Sequence, residues 1–193
     1  MDQVTAKSGP NVEYAKAPEG QHQCVLVDVI DLKMHENIYM GESKGMVHKC
    51  ALVFQIDAVN PDTKKRFEIS KDFTVSMGEK ANLRKFLAVW RGKSYSDAEA
   101  EGGAPLHKLE GVNGLMVVEH VRSKKNPDRT YANIVSVTGL PRGMEKISAE
   151  NYTRAPYWKD RIGKPFEEPK QPTENDFDDF PPPLEDQDDD LPF

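Results

Sequence analysis

Arg122, Lys124, Lys125 and Arg129 crowd one short polar stretch, and Tyr131 follows it directly. Cations that track phosphates, together with aromatics on which bases stack at ~1–3 kcal/mol each, are the ingredients of a single-strand binding site. A second polar stretch, residues 33–46, carries Tyr39 and, between Gly41 and Gly45, Lys44. Lys49, Lys71 and Phe73 complete the candidate set for contacting nucleic acid. Plainer readings stand beside these. A lysine-rich hairpin tip is ordinarily a solvated turn, which applies most to Lys64, Lys65 and Arg66. Phe54, Phe67 and Phe73 alternate with polar neighbours and default to a core, Phe73 beside Lys71 being the expected exception. Trp90 lies on an apolar helical stripe and reads as core.

The chain ends in Asp188, Asp189, Asp190, Leu191, Pro192 and Phe193. An acidic ribbon tipped by an aromatic and its own carboxylate can dock the ring in an apolar pocket while a basic rim holds the anions. A tail that serves only solubility gains nothing from an exposed aromatic at its end, so these six residues are expected to bind a partner protein. Metal chemistry is weaker. His22 with Cys24 and His48 with Cys50 each place two zinc-capable side chains on one strand face. Buried cysteines near polar histidines are the commoner arrangement, and no metal or other cofactor is expected. P-loop, GxSxG and HExxH motifs are absent, so an enzyme is not expected.

The elements that must hold these residues are mostly strands. Residues 22–32 alternate, with Val25, Val27 and Val29 opposite Cys24, Leu26 and Ile30, and residues 47–59 repeat the pattern. NPDTKK supplies a turn into a third strand at 66–75. Ser76 and Glu79 predict a capping box opening a helix in which Leu83, Phe86, Leu87 and Trp90 share one face and Gly92 closes the end. Lys80, Arg84, Lys85 and Arg91 point away from that face. Ser96 with Glu99 predicts a second short helical turn. Strands at 112–121 and 131–138 complete the body. This is an all-β order with one main helix between strands three and four, as in the five-stranded Greek-key barrel of the OB type, whose loops after strands one and four border the ligand groove. A β-sandwich with an inserted helix reads similarly.

Four regions follow: a loose arm at 1–18, the barrel at 19–141, a basic and aromatic extension at 142–166, and a tail at 167–193. The extension interleaves Tyr152, Tyr157 and Trp158 with Arg154, Lys159 and Arg161; it either lengthens a nucleic-acid path or straps its aromatics onto the barrel or a second subunit. Self-repelling charge and many prolines predict a disordered tail. The formal charge of −6 counts against a nucleic-acid binder until it is divided. Residues 166–193 hold 11 acids and one base, a net of −10, leaving 25 bases against 21 acids, a net of +4, in residues 1–165. Two cysteines outside any CxxC fit a reducing compartment. With no apolar run longer than five residues and no export signal expected, a cytoplasmic protein without membrane contact is expected.

The acidic tip resembles the C-terminal peptide of bacterial single-stranded DNA-binding proteins, which ends in three Asp and Ile-Pro-Phe; here Leu191 replaces the Ile. The body resembles phage-encoded OB-fold single-stranded DNA-binding proteins through LRKFLAVWRG (83–92), LEGVNG (109–114) and ANIVSV (132–137), a diffuse likeness over about 14–138. The resemblance implies binding of single strands without sequence preference, and recruitment of host or phage replication, recombination and repair proteins by the tip. Single-stranded DNA is the expected ligand and RNA shares its chemistry. An OB-fold adaptor that binds proteins only is the alternative.

Overall fold

The computed structural model describes residues 15–123 and 129–163. Five strands form one antiparallel sheet: β1 (Gly20–Tyr39), β2 (Glu42–Val59), β3 (Arg66–Thr74), β4 (Asn113–Arg122) and β5 (Thr130–Gly139). Their order is β3-β2-β1-β4-β5, so β3 and β5 are the sheet's edges and no ladder joins them. Between β3 and β4 lie helix α1 (Asn82–Arg91), the short α2 (Asp97–Glu101) and a 3-10 turn at Leu106–Leu109.

The sheet curls because its inner side chains converge. Leu26, Leu52, Phe54, Ile56, Ile69, Phe73, Met116, Val118, Ile134 and Val137, from all five strands, share one buried cluster with Leu83, Phe86, Leu87 and Trp90 of α1. Phe54 lies near its centre, 5.4 Å from Trp90 and 6.4 Å from Phe86 between ring centroids. Each such side chain removed from water contributes about 1.5–3 kcal/mol, so α1 is held by its apolar stripe rather than by intrinsic helicity. Arg84 and Arg91 leave that stripe as expected and bond Asp97 and Glu99.

Several expectations need correction. The helix does not begin at a Ser76–Glu79 box: Ser76 Oγ instead accepts from the Gly78 N–H at 3.2 Å in a preceding turn, and α1 starts after an extended Ala81 with no side-chain cap. The other two signals hold, since Gly92 closes α1 in the left-handed region and Ser96 with Glu99 caps α2 reciprocally. Residues 33–46 are not a loop. β1 and β2 run on as a two-stranded ribbon, pairing from Cys24 with Ile56 out to Tyr39 with Glu42, and turn at Met40 and Gly41. Both turn residues have positive φ, 52° and 82°, the handedness that matches strand twist in a two-residue hairpin. Ile30 does not share the face of Cys24 and Leu26, because a bulge between Leu26 and Asp28 exchanges the two faces. Within the N-terminal arm, Ala17 is buried in the core and its carbonyl meets His120 at 2.8 Å; residues 1–14 lie outside those described.

Candidate nucleic-acid interface

The outer face of the sheet is closed by the chain's own extension. Three polar residues of the sheet are buried, Asp28, Gln55 and Asn113, and each bonds residues 147–154. The amide of Asn113 pairs with both main-chain groups of Ile147, at 2.8 and 2.9 Å, and that of Gln55 with both of Glu150, at 2.8 Å each. Asp28 receives Tyr152 at 2.6 Å and a two-pronged Arg154 at 2.6 and 2.7 Å. Burial pulls the Asp28 carboxyl up, but hydrogen bonds from Arg154 and Tyr152 and the guanidinium charge outweigh it and hold the group below its ordinary range. Trp158, 2 % exposed, then packs on Ile30, Leu32, Ala51 and Val53, and the Gly163 N–H reaches Leu32 O at 2.8 Å. Of the two expectations for this segment, packing against its own sheet describes Tyr152, Arg154 and Trp158. Tyr157 stays half-exposed, stacked on Trp158 at 5.1 Å.

A cleft of about 1090 Å³ opens where the sheet fails to close, between the β3 edge, the start of α1 and the β5 edge. Lys49, Lys71, Lys80 and Lys85 line it, with the half-exposed Val89 and Val135 as apolar wall. Among the described residues Lys49, Lys80 and Lys85 have no ion-pair partner. Of the two acids lining the cleft, Asp72 is taken by Arg161 at 2.5 Å, which leaves Glu79. At the floor, Lys71 Nζ donates to Ile134 O, tying β3 to β5 where a ladder would otherwise run. Burial lowers the pKa of that ammonium.

The predicted contact residues therefore separate. Phe73 is corrected to core: it is 5 % exposed with its ring 4.8 Å from Phe86, so no base can stack on it. Lys71 is half-buried and committed to a main-chain carbonyl, which makes it a cross-edge tie. Lys49 faces the cleft. Arg122, Arg129 and Tyr131 are exposed where β4 and β5 meet, Tyr131 by 51 %, and neither arginine has an acidic partner among the described residues. Tyr131 precedes the cleft-lining Val135 by four residues, ~13 Å along an extended strand. Lys44, on the ribbon tip, pairs with Glu42 at 2.6 Å, and Tyr39 closes that ladder opposite Glu42. Lys124 and Lys125 lie outside the described residues, as do Asp188, Asp189, Asp190, Leu191, Pro192 and Phe193.

No zinc site forms from His22, Cys24, His48 and Cys50. Cys24 sits opposite Ile56, six residues from Cys50, so the two pairs are ~20 Å apart along the ladder. Burial pushes the thiols up to about 12 and 11, and the histidines bond Asp57 and Asp31. Among the described residues no three His, Cys, Asp or Glu side chains gather as metal ligands, and no helix is long and apolar enough to cross a membrane.

Lys80 and Lys85 were legible only as solvent-facing helix charges, because the cleft they border exists through the meeting of β3 and β5. Gln55 and Asn113 carried no signal at all. Comparison with protein-family models and with curated proteins finds no match to this chain.

Proposed function

We propose that this chain binds single-stranded DNA without sequence preference, on an OB-type barrel left open along one seam. Support for the fold is the connectivity: β1 pairs with both β2 and β4, β3 and β5 approach through Lys71, and α1 enters between β3 and β4. Support for the ligand is one observation above the others. Five of the described cations that have no acidic partner, Lys49, Lys80, Lys85, Arg122 and Arg129, are distributed over the open edge and the β4–β5 end, with Tyr131 between them. Unpaired cations beside an exposed aromatic suit phosphates and bases. In this reading the −10 tail competes with DNA for the cationic surface and is released to replication, recombination or repair partners when DNA is bound. A phage origin and action in the host cytoplasm belong to the same reading.

A protein-binding adaptor is favoured by a different observation, the apolar ribbon tip, where Ile38 and Met40 are 64 % and 86 % exposed. Fluorescence anisotropy with labelled oligo-dT separates the two. Salt-sensitive binding at micromolar concentration or tighter is expected; absence of binding at low salt favours the adaptor.

A further inference from the structure

An OB barrel ordinarily carries nucleic acid across the outer face of strands two and three. Here a strap covers β1, β2 and β4 on that side, while Glu68 and Asp72 of β3 stay exposed. Asp28, Gln55 and Asn113 are buried on the sheet and bonded to residues 147–154, and Arg66 of β3 adds a 3.0 Å bond to Ser148 O and an ion pair with Glu150 at 2.6 Å. Lifting this strap to admit DNA would give up the bonds that Asp28, Gln55 and Asn113 make to it and uncover Trp158, each such bond contributing about 0.5–1.5 kcal/mol and those to the Asp28 charge about 1.5–3. No buried side-chain polar atom among the described residues lacks a partner while the strap is down.

Resting on the reading of the chain as a single-strand binder, we infer that the DNA backbone runs instead along the open seam between β3 and β5, over the start of α1. The seam is a concave surface that the strap leaves free, and its volume of about 1090 Å³ is ample for several nucleotides' phosphates and sugars. Lys49 enters from the β2 side and Lys80 and Lys85 from the α1 side, so cations stand on both flanks of the channel. Asp72, the acid on the β3 flank, is neutralised by Arg161. Arg161 also lies over the Trp158 ring at 4.6 Å, and Trp158 stacks on Tyr157, the half-exposed aromatic of the strap. Val135 and Val89 offer apolar surface to sugars and base edges, and β5 leads from Val135 back to Tyr131. In this arrangement the strap has a function beyond packing: it keeps ligand off the part of the sheet it covers and supplies Arg161, which neutralises Asp72 on the β3 flank of the cleft.

The test compares two full-length variants with equal loss of charge, Lys80→Ala/Lys85→Ala in the seam and Lys64→Ala/Lys65→Ala on the β2–β3 turn, against oligo-dT over a range of salt. All four side chains are exposed, so both variants are expected to keep the parent's thermal midpoint. The seam pair should weaken binding roughly tenfold at low salt and flatten the log–log salt slope by about 1.4, two phosphate contacts at ~0.7 each for a single strand. The turn pair should leave the slope unchanged. Equal losses from both pairs, or a loss from the turn pair alone, overturn the seam while the protein remains a DNA binder. If the unmodified chain does not bind oligo-dT, the single-strand reading itself fails, and the seam with it.

Discussion

At the scale of single residues, one tight constraint is Gly114 on β4. A Cβ there would stand 2.6 Å from Thr138 O, 2.7 Å from Val137 Cγ1 and 2.8 Å from Trp90 Nε1. None of the three can move freely, since Thr138 belongs to the neighbouring strand, Val137 to the core, and Trp90 donates from Nε1 to Asn113 O at 3.1 Å. Gly114→Ala should therefore cost about 3 kcal/mol, near the upper end for overpacking, and lower the thermal midpoint by roughly 10 °C. Asp28 gives a prediction with a pH signature. Its carboxyl is held below the ordinary range in the folded state, so its contribution is full above that range and lost as pH falls through the depressed value. Asp28→Asn should melt lower than the parent at neutral pH, by about 2 kcal/mol of charged hydrogen bonding, and the two melting curves should converge in acid. A gap that stays constant from neutral to acid pH would mean that Arg154 and Tyr152 do not act through the charge.

At the scale of elements, the strap is the least autonomous piece. Its main chain is held by side-chain amides at Ile147 and Glu150 and by the Leu32 carbonyl at Gly163, with Trp158 between. Trp158→Ala should release it: the amides of Ile147, Glu150 and Gly163 should exchange hydrogen faster while those of the β1–β2 ladder keep their protection. Simultaneous loss of protection in both would make the strap part of one cooperative unit. Patterning placed all five strands, through runs that are apolar on both sides in β1 and β2 and through alternation elsewhere, and the stripe of α1 was readable from its own period. What alternation could not convey is where a strand bends. The bulge after Leu26 inverts the pattern within one strand, so Ile30 reads as a neighbour of Cys24 although it packs under Trp158. The ribbon from Lys33 to Met46 escaped because its strands bury neither face and so lack a period. The strap's sockets are polar residues in apolar strands, which read as interruptions until their partners, some 30 to 130 residues away, are in place.

At the scale of the whole molecule, the cleft residues illustrate the same limit. Lys80 and Lys85 line a cleft only because two sheet edges far apart in sequence come together beside α1. Charge division, by contrast, was legible from counting alone, and under the proposed function it would make the tail an intramolecular competitor at high local concentration. Deletion of residues 167–193 removes a net −10 and should tighten DNA binding, most at low salt where screening is weakest. The decisive measurement is the affinity for oligo-dT of the full-length and tail-deleted chains, taken in parallel as salt is raised. The account predicts micromolar or tighter, salt-sensitive binding by both, with the deleted form tighter at low salt and the two converging at high salt. No binding by either form at low salt would contradict it.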